Sequence, residues 1–281
     1  MAGLIKMAVT NPNLQWDVVA SYMLNADILR GLLRTLELTA LSMVIGIVIG
    51  IVTAVMRLSP IKVLSGMAWA YVWFFRGTPL LVQIIFWFNL AALFSRLEIG
   101  IPLIGPVFFS GDTNALITPF VAALLGLALN EGAYMSEIVR AGIQSVDQGQ
   151  EEAATALGMR QRRVLRRIVL PQAMRVIVPP TGNQVISMLK SSSLVSVTAL
   201  PELLYSAQII YQTNFKTIPL LIVASLWYLI VTTVLSVVQY YVERRYARGS
   251  RRTLPPTPFQ KLKASIADVQ GRFTNSRGVF E

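Results

Sequence analysis

Between Thr217 and Val242 the chain runs for 26 residues without a charged side chain, and between Leu38 and Met56 it does so for 19. About 20 apolar residues in helical form span the hydrocarbon layer of a bilayer. Two such runs fix the solvent before anything else: the chain is built for lipid. Composition agrees, with 14% of residues charged and 54% hydrophobic, against about 25% charged in soluble domains. The sequence has no His and no Cys. That removes disulfides, thiolate or imidazole metal sites, and Ser-His or Cys-His catalytic pairs. The net charge of +11 does not point to nucleic acid, because the arginines gather in loops between apolar runs and in the tail, as the positive-inside rule requires.

In chain order, residues 1–27 read as a polar external arm with a short amphipathic helix around Trp16 to Ala26. They lack the charged start and apolar run of a secretory signal. The first membrane helix is expected from near Ile28 to Met56, with Gly46 and Gly50 spaced for close helix approach. Val63 to Phe75, the break Arg76-Gly77-Thr78-Pro79 and Leu80 to Ser95 form a second span kinked near its beginning, since Pro79 lacks an N–H and biases Thr78 away from helix. Ser95 to Thr118 reads as a long external loop rich in Gly and Pro, and Thr118 to Val146 as the third helix. Pro179 and Pro180 are expected to break the fourth apolar region, and Pro201-Glu202 to open a second external stretch ending near Lys216. Thr217 to Val242 is the last span, so the membrane domain covers 28–246 with five helices. Residues 247–281 form a basic cytoplasmic tail whose Arg248, Arg251 and Arg252 would favour anionic lipid headgroups. The basic loops 57–62 and 160–175 and the tail fall on one side, which places the amino end outside and the carboxyl end inside.

The longest polar interruption, 147–172, holds most of the sequence's information. Glu152 to Leu157 is composed of good helix formers. Gly158 is placed to end that helix in a left-handed conformation. A basic helix follows, with six arginines from Arg160 to Arg175, and Pro171 is expected to punctuate it. Glu152-Ala153-Ala154, Gly158, Ile168, Leu170 and Pro171 stand at the spacing EAA, three residues, G, nine residues, I, one residue, LP.

That spacing resembles the signature loop of permease subunits in ATP-binding-cassette (ABC) importers. Arg76-Gly77-Thr78-Pro79, Ala133-Tyr134, Glu137 to Ile143, and Lys190 with Ser193-Leu194 are similar to the polar amino acid branch of that family. The resemblance covers roughly 28–246. It implies an all-α membrane protein, a bundle of five transmembrane helices like a type I importer permease, with the loop as a cytoplasmic coupling helix docked on an ATPase. It also implies an inner-membrane location, a second permease subunit (identical or related), an ABC ATPase dimer below and an extracytoplasmic amino-acid-binding protein above. The chain itself has no GxxxxGK[ST] loop for a nucleotide, so it is expected to bind no cofactor and to be no enzyme, with ATP on the partner.

An ionisable residue at membrane depth is a functional candidate by default. Glu131, near the middle of the third helix, is one, with Asn130 and Tyr134 beside it. Asn183, Gln184, Ser187 and Ser191 recur at near-helical spacing on the next segment and are expected to face Glu131 across a small polar cavity. A pairing of Glu131 with Lys190, or a cap by Glu131 on a broken helix, stands as the structural alternative. Glu137 next to Arg140 reads as structural, and Glu37 as a residue near the outer edge of the first helix. A secondary transporter or channel for small polar solutes is the other functional class that broken polar helices suit.

Overall fold

A computed structural model of the chain describes residues 11–100 and 107–247. Nearly all of these are helical, in nine main helices: α1 (Trp16–Met23), α2 (Ala26–Arg57), α3 (Lys62–Gly77), α4 (Leu80–Phe88), α5 (Pro119–Gln144), α6 (Gln148–Ala156), α7 (Leu170–Ser191), α8 (Leu203–Asn214) and α9 (Thr217–Ala247). The tail and the first ten residues, including the three tail arginines named above, lie outside the described residues.

α2 begins where Asn25 caps it by accepting from the Asp27 N–H at 2.9 Å, and it runs 32 residues to Arg57. At about 1.5 Å per residue that is ample to cross a bilayer. α2 and α9 are each long and apolar enough to do so alone. Two bent pairs, α3 with α4 and the rod from Gln161 to Thr198 with α8, are long and apolar enough when each pair is taken as one span. α5, 26 residues long, has the length; Asn130, Glu131 and Glu137 dilute its apolarity.

α2 and α5 form the closest pair. Gly46 and Gly50 face α5, and a Cβ on Gly50 would overlap Met135. Leu38 and Met43 of α2, Ile84 of α4, Ala123 and Leu127 of α5, and Met188 of α7 close one core. Val19, Ile28, Leu32, Leu203, Ala207 and Leu220 bind α1, α2, α8 and α9 into a second. Outer faces of α2, α3 and α9 leave Val44, Val48, Trp69, Trp73, Leu229 and Val234 exposed, as lipid contact demands.

Four expectations are corrected. The proline break in the second span lies in its middle, where α3 and α4 meet at 101°, because Thr78 is held extended before Pro79. The segment from Ser95 to Thr118 carries an antiparallel hairpin, β1 (Arg96–Gly100) against β2 (Val107–Asp112), in register Arg96↔Asp112 to Gly100↔Val107. Pro171, Pro179 and Pro180 do not interrupt their helix. Five π-helical residues, Leu165–Val169, precede Pro171 and widen the turn its ring would otherwise strike. At the other pair, the helix continues through both prolines from Leu170 to Ser191, with Gln239 of α9 donating to the Pro179 carbonyl at 3.4 Å and Thr181 Oγ1 to that of Ile177 at 2.8 Å. Lastly, the stretch after Pro201, expected as a connection, is helix α8, buried along Leu203, Ser206 and Ala207.

That last correction has a chemical cause in Glu202. Its side chain is 0% exposed and caps α8 by accepting from the Leu204 and Tyr205 N–H groups at 2.9 and 2.7 Å. It also accepts from Tyr228 Oη at 3.1 Å and Thr35 Oγ1 at 3.4 Å. One carboxylate thereby ties α2, α8 and α9 together. A Glu after Pro in a polar-looking junction gave little sign of this; the cap position before Leu203-Leu204-Tyr205 was the available signal.

Candidate functional site

The polar interruption folds as an elbow. Asp147 caps α6 by accepting from the Gly149 N–H at 2.7 Å. The helix ends in paired bonds, Met159 N–H to the Ala154 carbonyl at 3.1 Å and Gly158 N–H to that of Thr155 at 2.9 Å. This is the Schellman termination, which needs a left-handed residue, and Gly158 supplies it at φ +76°. The chain then reverses into the basic rod that becomes α7. Ala154, Val164 and Val169 bury the inside of the elbow.

The seven motif residues therefore divide. Ala154 points inward and is 3% exposed. Glu152, Ala153, Gly158 and Pro171 are exposed, Ile168 is half-buried, and Leu170 is 37% exposed. A shallow groove of about 530 Å³ runs between α6 and the rod, lined by Gln148, Glu152, Thr155 and Gln161. Sequence reading missed one residue here: Leu157, 84% exposed at the tip of the elbow beside Gly158. An apolar side chain just before the turn glycine, in an otherwise polar segment, was the signal for it.

The second site lies in mid-bundle. Glu131 is 4% exposed on α5. It lies against Gly46 of α2, and Gln184 Nε2 of α7 donates to both of its carboxylate oxygens at 3.3 Å. Glu131 takes part in none of the four ion pairs formed among the described residues. Lys190 is exposed at the far end of α7, so the alternative pairing with Glu131 is not made.

Of the other residues expected around Glu131, only Gln184 meets it. Asn130 turns to the adjacent face, where its Nδ2 donates to the Phe75 carbonyl at 2.9 Å and to Gln83 Oε1 at 3.3 Å. Gln83 in turn donates to Phe75 and Thr78 carbonyls and to Thr78 Oγ1. Asn130 and Gln83 thus serve the carbonyls that the α3–α4 break leaves without helical donors. Tyr134 is 38% exposed, with the Arg76 guanidinium 5.2 Å from its ring centre. Asn183, Ser187 and Lys190 share an exposed face of α7, and Ser191 is half-buried. Neighbouring positions on a helix point in different directions, so Asn183 and Gln184 cannot both look at one carboxylate. Glu137 is structural, holding Arg57 at 3.1 Å and Arg140 at 2.6 Å. Glu37 pairs with Arg34 at 3.0 Å on the surface. Among the described residues no group of three or more Asp, Glu, His or Cys could hold a metal ion.

Residues 46–248 match the family model described as binding-protein-dependent transport system inner membrane component. The chain belongs to this family. It is a multi-pass protein of the inner membrane, and membership separates it from the channel and gradient-driven alternatives. The arginine transport system permease protein ArgU of Corynebacterium glutamicum is 44% identical over 275 residues, 96% of this chain and 83% of that one. The L-cystine transport system permease protein TcyB of Bacillus subtilis is 38% identical over 219 residues, 78% of this permease and 86% of its relative. Among solved structures, an amino acid ABC transporter crystallised with histidines matches with a TM-score of 0.66 at 37% identity, over 78% of this chain and 94% of that one.

Proposed function

We propose that this permease carries amino acids with basic side chains along a path that passes Glu131, and that the elbow couples it to a separate ATPase. Its role as a transmembrane subunit of a binding-protein-dependent amino acid importer rests on the family and on relatives named for arginine and cystine transport. The preference for basic cargo rests on one observation: a buried carboxylate in mid-bundle that makes no ion pair among the described residues and is held by a neutral amide, Gln184. A cation arriving beside it replaces water with a charge-assisted bond worth about 1.5–3 kcal/mol. Asn183 and Ser187, on the exposed face of α7, offer polar contacts apart from Glu131.

The importer acts as a pair of permeases, identical or related, above two ATPase subunits and below an extracytoplasmic binding protein. Leu157 and the groove beside Glu152 form the knob and slot that the ATPase grips. The bundle crosses the membrane five times, α5 included, with the amino end outside and the arginine-rich ends of α2, α5 and α9 inside.

The test is uptake by proteoliposomes that contain the permease, its ATPase and its binding protein. Glu131→Gln is expected to lower arginine uptake about ten- to a hundred-fold, to lower glutamine uptake far less, and to leave basal ATP hydrolysis intact. Equal losses for both cargoes would remove the assignment of Glu131 to side-chain recognition.

A further inference from the structure

At the arginine-rich end of the bundle, the ends of α2 and α5 and the start of α3 enclose an open pocket of about 480 Å³ that no step of the proposed transport uses. Arg57, Lys62 and Arg140 face it. One carboxylate, Glu137, serves two of these cations, at 3.1 and 2.6 Å. Lys62 takes part in no ion pair among the described residues and is exposed. Arg140 gives one amino group to Glu137 and the other to Gln144 Oε1 at 2.7 Å. Three cations against one carboxylate leave an excess of positive charge at the pocket, and what that excess calls for is an anion.

The wall of the pocket says what else the anion carries. Gly66 and Trp69 of α3 line it, and one turn on, Trp73 stacks against Trp69 with ring centres 6.1 Å apart. Both indoles are more than half exposed on the lipid-facing side of α3. Tryptophans with one side wet and the other apolar sit where headgroups meet acyl chains. Ser65 and the turn from Arg57 are joined by a 3.3 Å bond from Ser65 Oγ to the Arg57 carbonyl, so the cations are held at the mouth of this apolar track. A free phosphate would satisfy the cations and leave the track empty.

We infer that the pocket binds an acidic phospholipid, its phosphate between Arg57, Lys62 and Arg140 and one acyl chain along Gly66, Trp69 and Trp73. Basic pockets between membrane helices on the cytoplasmic side recognise anionic headgroups in this way. The site lies three to seven residues from Asp147 along α5, so an occupied pocket braces the root of the elbow.

The full-length permease is reconstituted in phosphatidylcholine vesicles containing a minority of phosphatidylglycerol, extracted, and weighed by native mass spectrometry to read which lipid it retains. The wild type is expected to retain phosphatidylglycerol in preference to phosphatidylcholine. Lys62→Gln should weaken that preference roughly fivefold, the factor for one charge near a membrane surface. Gly66→Phe should abolish it, since a Cβ at Gly66 meets nothing within 4 Å and the ring projects into the pocket. Both substitutions lie at exposed positions, and an unchanged melting temperature checks the fold. No lipid preference in the wild type, or an unaltered preference in Lys62→Gln, overturns the inference even if Gly66→Phe fails to fold. Complete displacement of the lipid by excess inorganic phosphate would assign the pocket to a free anion instead.

Discussion

Glu131 lies directly on Gly46: a methyl group added to that glycine would stand 2.8 Å from Cγ and 2.9 Å from Cβ of the glutamate. The carboxylate owes its position to an absent side chain on α2. Gly46→Val is therefore expected to destabilise the protein by about 1–3 kcal/mol through overpacking and to lower uptake by displacing Glu131. Thermal unfolding of the detergent-solubilised chain measures the first effect, with Gly66→Ala as the harmless control at an open position.

The partner of Glu131 can be read by exchange. Glu131→Gln combined with Gln184→Glu keeps one carboxylate and one amide at the 3.3 Å contact and should recover part of the lost arginine uptake. Glu131→Gln combined with Lys190→Met should recover none, because Lys190 is exposed and does not meet Glu131. Rescue by the lysine change and not by the exchange would reverse the assignment.

At the elbow, Gly158→Val places a β-branched residue at φ +76°, a conformation that costs such a side chain about 1–2 kcal/mol. Substrate-stimulated ATP hydrolysis in the assembled transporter should fall while the chain still inserts. Leu157→Asp leaves the turn intact and charges a side chain that is 84% exposed; co-purification of the ATPase should be lost. Retained co-purification would count against the knob-and-slot contact.

Glu202→Leu removes an acceptor from two backbone N–H groups and two hydroxyls. At about 1–3 kcal/mol for each buried group left unpaired, the loss should exceed that of Gly46→Val in the same melting experiment. Glu202→Gln keeps an oxygen for some of these donors and should lie between.

The chain has no cysteine, so single cysteines report sidedness directly. With an impermeant thiol reagent on intact cells, Thr213→Cys should label and Ser59→Cys should not. The reverse pattern would invert the proposed orientation.

What was legible in the sequence was what depends on local rules. The uncharged run from Leu38 to Met56 became α2, and Gly158 at its fixed offset became the Schellman turn. What was not legible depends on partners supplied by distant parts of the chain. Asn130 reads as a cargo contact, yet its amide is spent on Phe75, 55 residues away. Glu202 reads as solvent-facing until Tyr228 and Thr35 close over it. A polar residue at membrane depth announces that it has a partner and does not say whether that partner is the protein or its passenger.

From Gln161 to Thr198 the backbone is helical without a loop, the π turn before Pro171 included. Gln184 sits about 35 Å along that rod from the elbow. In the proposed coupling, a push on α6 crosses the turn at Gly158 and then enters one continuous helical rod that also carries the amide bonded to Glu131. A stroke at the elbow would reach that amide through the π turn and the prolines of the rod, by way of helix and not of loop.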